Sequence, residues 1–72
     1  MQLIFTCNSN EDFNKMKLII SKSKFNVAAL NYKFRSLYFQ CWDKQDANAL
    51  KSKLLKIVSE NNISGYFELK EK

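Results

Sequence analysis

A chain of 72 residues with a formal net charge of +5 has room for one domain and one core, and a domain of this size buries only about 60% of the surface its unfolded chain exposes. Its 46% hydrophobic content, with six Phe, three Tyr and one Trp, excludes a disordered chain, and no apolar run approaches the ~18 residues that span a bilayer. Histidine is absent and Arg35 is the only arginine among twelve basic residues, which removes the commonest general base and leaves little bidentate recognition of phosphate.

Gln2 to Cys7 alternates, with Leu3, Phe5 and Cys7 on one face and Gln2, Ile4 and Thr6 on the other, which predicts a half-buried first strand. Ser9 followed by Asp12 is a helix start close to a capping box. Phe13, Met16 or Lys17, and Ile20 then recur at helical spacing, predicting a helix over Asn10 to Ser21. Phe25 to Phe34 reads as a second strand in which two registers compete. One places Phe25, Val27 and Ala29 together; the other, expected in the core toward the C-terminal end, places Ala28, Leu30, Tyr32 and Phe34 together. Lys33, Arg35 and Ser36 mark a tight connection that lacks any Gly or Asn-Gly signal.

Ser36 to Asp43 reads as the central strand. Leu37, Phe39 and Cys41 fall on one face and Tyr38, Gln40 and Trp42 on the other. Gln40 fixes the orientation, because a buried amide without partners costs roughly 1–3 kcal/mol; the Leu37 face is expected to meet the core, leaving Tyr38 and Trp42 opposite. Asp43 and Asp46 then open a second helix, where carboxylates suit the positive end of the dipole. Along it Ala47, Leu50, Leu54, Ile57 and Val58 form an apolar stripe facing away from Lys51, Ser52, Lys53 and Lys56. Gly65, the only glycine, leads into a last strand, Tyr66 to Lys70, with Phe67 and Leu69 pointing one way and Tyr66, Glu68 and Lys70 the other.

The element order strand, helix, strand, strand, helix, strand is that of the ferredoxin-like split βαβ arrangement. The expected fold is therefore α+β: residues 1–72 as a single compact domain, with a four-stranded antiparallel sheet ordered 4-1-3-2 and two helices on one face. Cys7 and Cys41 then fall at opposite ends of neighbouring strands, too far apart for a disulfide, and are expected as free thiols in the core. Met1 to Phe5 lacks the basic end and apolar stretch of a signal peptide, so a cytoplasmic chain is expected.

Little in the sequence suggests catalysis. Neither cysteine has a histidine to activate it, and the paired carboxylates Glu11/Asp12 and Asp43/Asp46 sit where helices begin. A single glycine excludes Gly-rich phosphate loops. Acylphosphatases, which share the expected fold, carry a phosphate-binding arginine in the loop after the first strand, where this chain has Asn8, Ser9 and Asn10. The expectation is no enzyme, no cofactor and no metal site.

Ile4-Phe5-Thr6-Cys7-Asn8 and Arg35-Ser36-Leu37-Tyr38-Phe39-Gln40-Cys41-Trp42 resemble the first- and third-strand signatures of the RNA-recognition motif. The family has Gly where Ser36 stands, an aromatic where Leu37 stands and a small residue where Tyr38 stands. The resemblance implies a single-stranded RNA- or DNA-binding module, but its register would expose Phe5, Leu37 and Phe39 and bury Gln40.

The expected function is that of a small non-enzymatic interaction protein, binding another macromolecule through its open sheet face and basic surface at Tyr38, Trp42, Tyr66, Lys70, Lys33 and Arg35. Trp and Tyr dominate interface hot spots, and bases stack on exposed aromatics. A protein partner ranks first and nucleic acid second; no membrane is expected, and the chain is expected as a monomer or homodimer. Abundant Lys, Asn and Ile without proline also suits AT-rich coding, as in phages and mobile elements. By analogy with compact anti-CRISPR and antirestriction proteins, an inhibitor of a host factor is a concrete version of this reading.

Overall fold

Strand alternation and helix capping divide the chain into six elements in a computed structural model that describes residues 1–71: β1 (Gln2–Cys7), α1 (Asn10–Ser21), β2 (Val27–Asn31), β3 (Ser36–Gln40), α2 (Lys44–Glu60) and β4 (Gly65–Lys70). The strands form one antiparallel sheet in the order β2-β3-β1-β4, which counted from the β4 edge is 4-1-3-2. β1 and β3 are the central pair.

One face of that pair makes the core. Leu3, Phe5 and Cys7 of β1, Leu37 and Phe39 of β3, and Cys41 pack against Phe13, Met16 and Ile20 of α1 and Ala47 and Leu54 of α2. Both helices therefore lie on the same side. Each begins with the anticipated chemistry: the Ser9 hydroxyl accepts the Asp12 N–H at 3.1 Å, and the Asp43 carboxylate accepts the Asp46 N–H at 2.9 Å, bonds that each hold about 1 kcal/mol of helix stability. Among the described residues, no helix is long and apolar enough to cross a membrane.

Two expectations need correction. The first concerns β2, where the ladder slips between Val27, opposite Phe39, and Ala29, opposite Tyr38. This bulge inserts one extra residue, so Val27 and Leu30, which belong to different registers in the sequence, both lie on the helix side. The set expected in the core stays outside it: Leu30 is 38%, Tyr32 65% and Phe34 58% exposed. Half-buried Phe25 and Val27 pack on the core instead. As an edge strand, β2 has a neighbour on one side only, and just beyond its C-terminal end the Tyr32 ring meets Phe13 of α1 edge-on, with centroids 5.6 Å apart.

The second correction shortens the central strand. Cys41 still pairs, its N–H donating to the Met1 carbonyl at 2.9 Å, but the strand ends at Gln40. The Asp46 carboxylate accepts the Trp42 N–H at 2.9 Å while Asp43 caps α2. Two helix-start bonds thus take the chain off the ladder, and they outweigh the strand propensity of a single Trp.

Candidate macromolecule-binding face

The side of the sheet away from the helices is built in three rows fixed by strand register. Tyr66, Thr6 and Ser36 form the first, Glu68, Ile4 and Tyr38 the second, and Lys70, Gln2 and Gln40 the third. The β2–β3 turn rises beside them. Together Lys33, Phe34, Arg35, Tyr38, Tyr66, Glu68 and Lys70 wall a concavity of about 420 Å³ above Ile4, Thr6 and Ser36. Its floor is well made: Ile4 is only 6% exposed although no helix covers it, and the Thr6 and Ser36 hydroxyls bond each other at 2.9 Å.

The turn is held by two devices. Asn31 accepts the Phe34 N–H, three residues on, on its side-chain oxygen at 3.1 Å, a local side-chain-to-backbone bond of the kind that starts turns, and Arg35 takes a left-handed backbone conformation with φ 57°. Arg35 is fastened to the end of β1 at both its ends. Its carbonyl accepts the Cys7 N–H at 2.8 Å, and its Nε donates to the Cys7 carbonyl at 3.1 Å. That second bond orients the guanidinium at the rim of the concavity. Lys33 lies close by, its Nζ 5.7 Å from the Phe34 ring centroid.

Of the six residues singled out in the sequence, five meet here: Tyr38, Tyr66, Lys70, Lys33 and Arg35. Trp42 does not. It is 93% exposed, beyond the end of β3, beside Gln40 and Cys41. Phe34, expected in the core, joins the wall instead; the signal for it was Asn31, whose side chain starts the turn. The rim carries three cations against the single carboxylate of Glu68. Among the described residues, the only ion pair is Lys15 with Glu11, at 3.9 Å, so no described carboxylate pairs with any of the three rim cations.

Of the aromatics that carry the likeness to the RNA-recognition motif, Phe5 and Phe39 are buried under the helices, while Trp42 is exposed beyond the end of β3. On the open side, the central strands present one aromatic, Tyr38.

Cys7 and Cys41 are buried and unpaired. Burial, reinforced by the Asp12 carboxylate and partly offset by Arg35, pushes the Cys7 thiol up to about 11. Burial and Asp46 raise Cys41 too. Both thiols are protonated at neutral pH, the form least suited to attack or to metal binding. A thiol whose pKa rises on folding holds its proton more tightly in the native state. Its stabilisation is therefore complete below the ordinary value of 9.0 and is lost as pH climbs toward 11. Urea midpoints of the wild type and Cys7→Ala are expected to converge over that window; a constant gap would contradict a buried, protonated Cys7. Among the described residues, no three of His, Cys, Asp and Glu cluster as metal ligands.

In comparisons with protein-family models, with curated proteins and with solved structures, nothing matches this chain.

Proposed function

We propose that the chain is a ferredoxin-like, non-catalytic binding protein that holds a macromolecular partner on the open face of its sheet. The observation that carries this reading is the convergence of the β2–β3 turn, β3 and β4 on one concavity with three cations on its rim. Cations exposed around aromatic side chains suit an acidic partner surface, which they steer toward the site and orient there. Tyr38 and Tyr66 supply rigid contact area above the apolar floor of Ile4.

A protein partner is favoured over a base-stacking one, because the aromatics at the stacking positions of the RNA-recognition motif, Phe5 and Phe39, face the core. By analogy with other compact inhibitors, occlusion of an acidic surface on a host factor is the form such binding takes. The rim cations also favour a second reading, in which single-stranded RNA or DNA is held by its phosphates.

Site-specific photocrosslinking in cells that express the chain separates these readings. A photoreactive phenylalanine at position 38 or 66 is expected to capture a protein, while the same group at Leu55, exposed on α2, captures none. Adducts to RNA or DNA at position 38 would put the second reading first. Equal labelling from positions 38 and 55 would remove the open face as the site.

A further inference from the structure

The outer edge of β2 forms a second surface, separate from the open face. On the helix side of the sheet the C-terminal part of α1 stands away from β2, leaving a crevice of about 450 Å³ lined chiefly by Lys17, Ile20, Phe25, Val27, Leu30 and Leu37. Leu37 is its buried floor, and Leu30, directly opposite it in the ladder, is the exposed wall. Among the described residues β2 pairs only with β3, so the backbone groups along its outer side have no partner strand there. The usual protections of an edge strand are sparse here: no charged residue and no proline stands between Phe25 and Tyr32, leaving the bulge as the one guard. The opposite edge, β4, carries Glu68 and Lys70.

We propose that this edge captures an extended acidic peptide segment, which adds as a fifth strand beside β2 and places alternate apolar side chains in the crevice. Unpaired backbone beside a pocket is the arrangement for strand addition, where main-chain bonds supply affinity and side-chain pockets supply selectivity. Charge selects the occupant. Among the described residues no carboxylate lines the crevice and Lys17 stands at it, with Lys22 and Lys24 preceding the strand, while Lys33 and Arg35, which follow it, line the open face. The same charges disfavour a second copy of this chain: an antiparallel β2–β2 pairing about a two-fold axis lays the flank holding Lys22 and Lys24 of one copy against the flank holding Lys33 and Arg35 of the other.

The test uses a fluorescein-labelled peptide of about ten residues that alternates glutamate with valine, and a second of equal charge with prolines in place of the two central valines. The alternating peptide is expected to bind at least tenfold more tightly. Leu30→Lys and, separately, Lys17→Glu are each expected to weaken it at least tenfold, whereas replacing Lys33, Arg35 and Lys70 on the open face weakens it less than threefold. Leu30 is exposed and Lys17 half-buried, its Nζ 4.9 Å from the Phe13 and 4.8 Å from the Tyr32 ring centroid, and circular dichroism checks that each variant remains folded. Absent binding, or equal affinity for the two peptides, would overturn the proposal. It would also fall if sedimentation showed the chain to be a dimer that Leu30→Lys splits, since the edge would then belong to a second copy.

Discussion

Gly65→Ala is expected to lower the thermal midpoint by about 10–20 °C, although alanine replaces a residue that strands disfavour. Gly65 opens β4 opposite Cys7 and needs no positive φ, so space and not backbone freedom is the reason for it. A Cβ there would run into the Thr6 carbonyl and lie 2.6 Å from Cζ of Phe5. The carbonyl belongs to the central strand, and the Phe5 ring is fixed against Phe67 at a centroid distance of 4.7 Å. Neither can withdraw without disturbing the β1–β4 ladder or the core. Overpacking of this kind costs about 2–3 kcal/mol, against a total of roughly 4–11 kcal/mol for a chain of this length. Phe5→Leu in the Gly65→Ala background relieves the ring and leaves the carbonyl, so it is expected to restore only part of the loss. An unchanged or raised midpoint for Gly65→Ala would contradict the packing of β4 on β1.

Replacing Lys33 and Lys70 by Ser and Arg35 by Gly is expected to weaken binding of an acidic partner by roughly 100-fold while leaving the fold intact. Each exposed charge contact contributes about 1 kcal/mol or less. Three together approach the ~2.8 kcal/mol that a 100-fold change requires. Glycine is chosen at position 35 on physical grounds: it removes the ~1 kcal/mol strain of a left-handed non-glycine residue and forfeits the Arg35–Cys7 hydrogen bond, worth about 1 kcal/mol. These effects nearly cancel, so the variant changes charge more than stability. Tyr38→Ala alone is expected to weaken binding by about 30-fold, as truncation of a central aromatic anchor does, whereas Trp42→Ala has no effect on the open face. A large loss for Trp42→Ala with none for Tyr38→Ala would move the site to the start of α2.

Much of this arrangement can be read from the chain itself. Alternation in β1 and β3, the apolar stripe of α2 and the Ser9 and Asp43 caps are local signals that agree with the tertiary structure, so the core side of the central strands follows from Gln40 and its neighbours. The open face follows with them, because its residues are the other half of the same alternation. What could not be read depends on contacts distant in sequence. The register of β2 changes at a bulge beside Ala28, which nothing nearby announces, and each of the two competing registers is correct on one side of it. Trp42 reads as strand until its N–H is claimed by Asp46. Gly65 reads as a turn residue, while its place depends on Phe5 and Thr6, some sixty residues earlier in the chain.

An amide-resolved NMR titration with penta-glutamate at low ionic strength tests the open face most directly, because Trp42 supplies an internal control. The expected result on the sheet's open side is a set of shifts at Thr6, Phe34, Arg35, Ser36, Tyr38, Tyr66 and Glu68, fading as salt is raised, with the Trp42 indole resonance unmoved and any second set of shifts restricted to the β2 edge and Lys17. Shifts centred on Trp42, or no shifts at any salt concentration, would contradict an anion-attracting site on the open face.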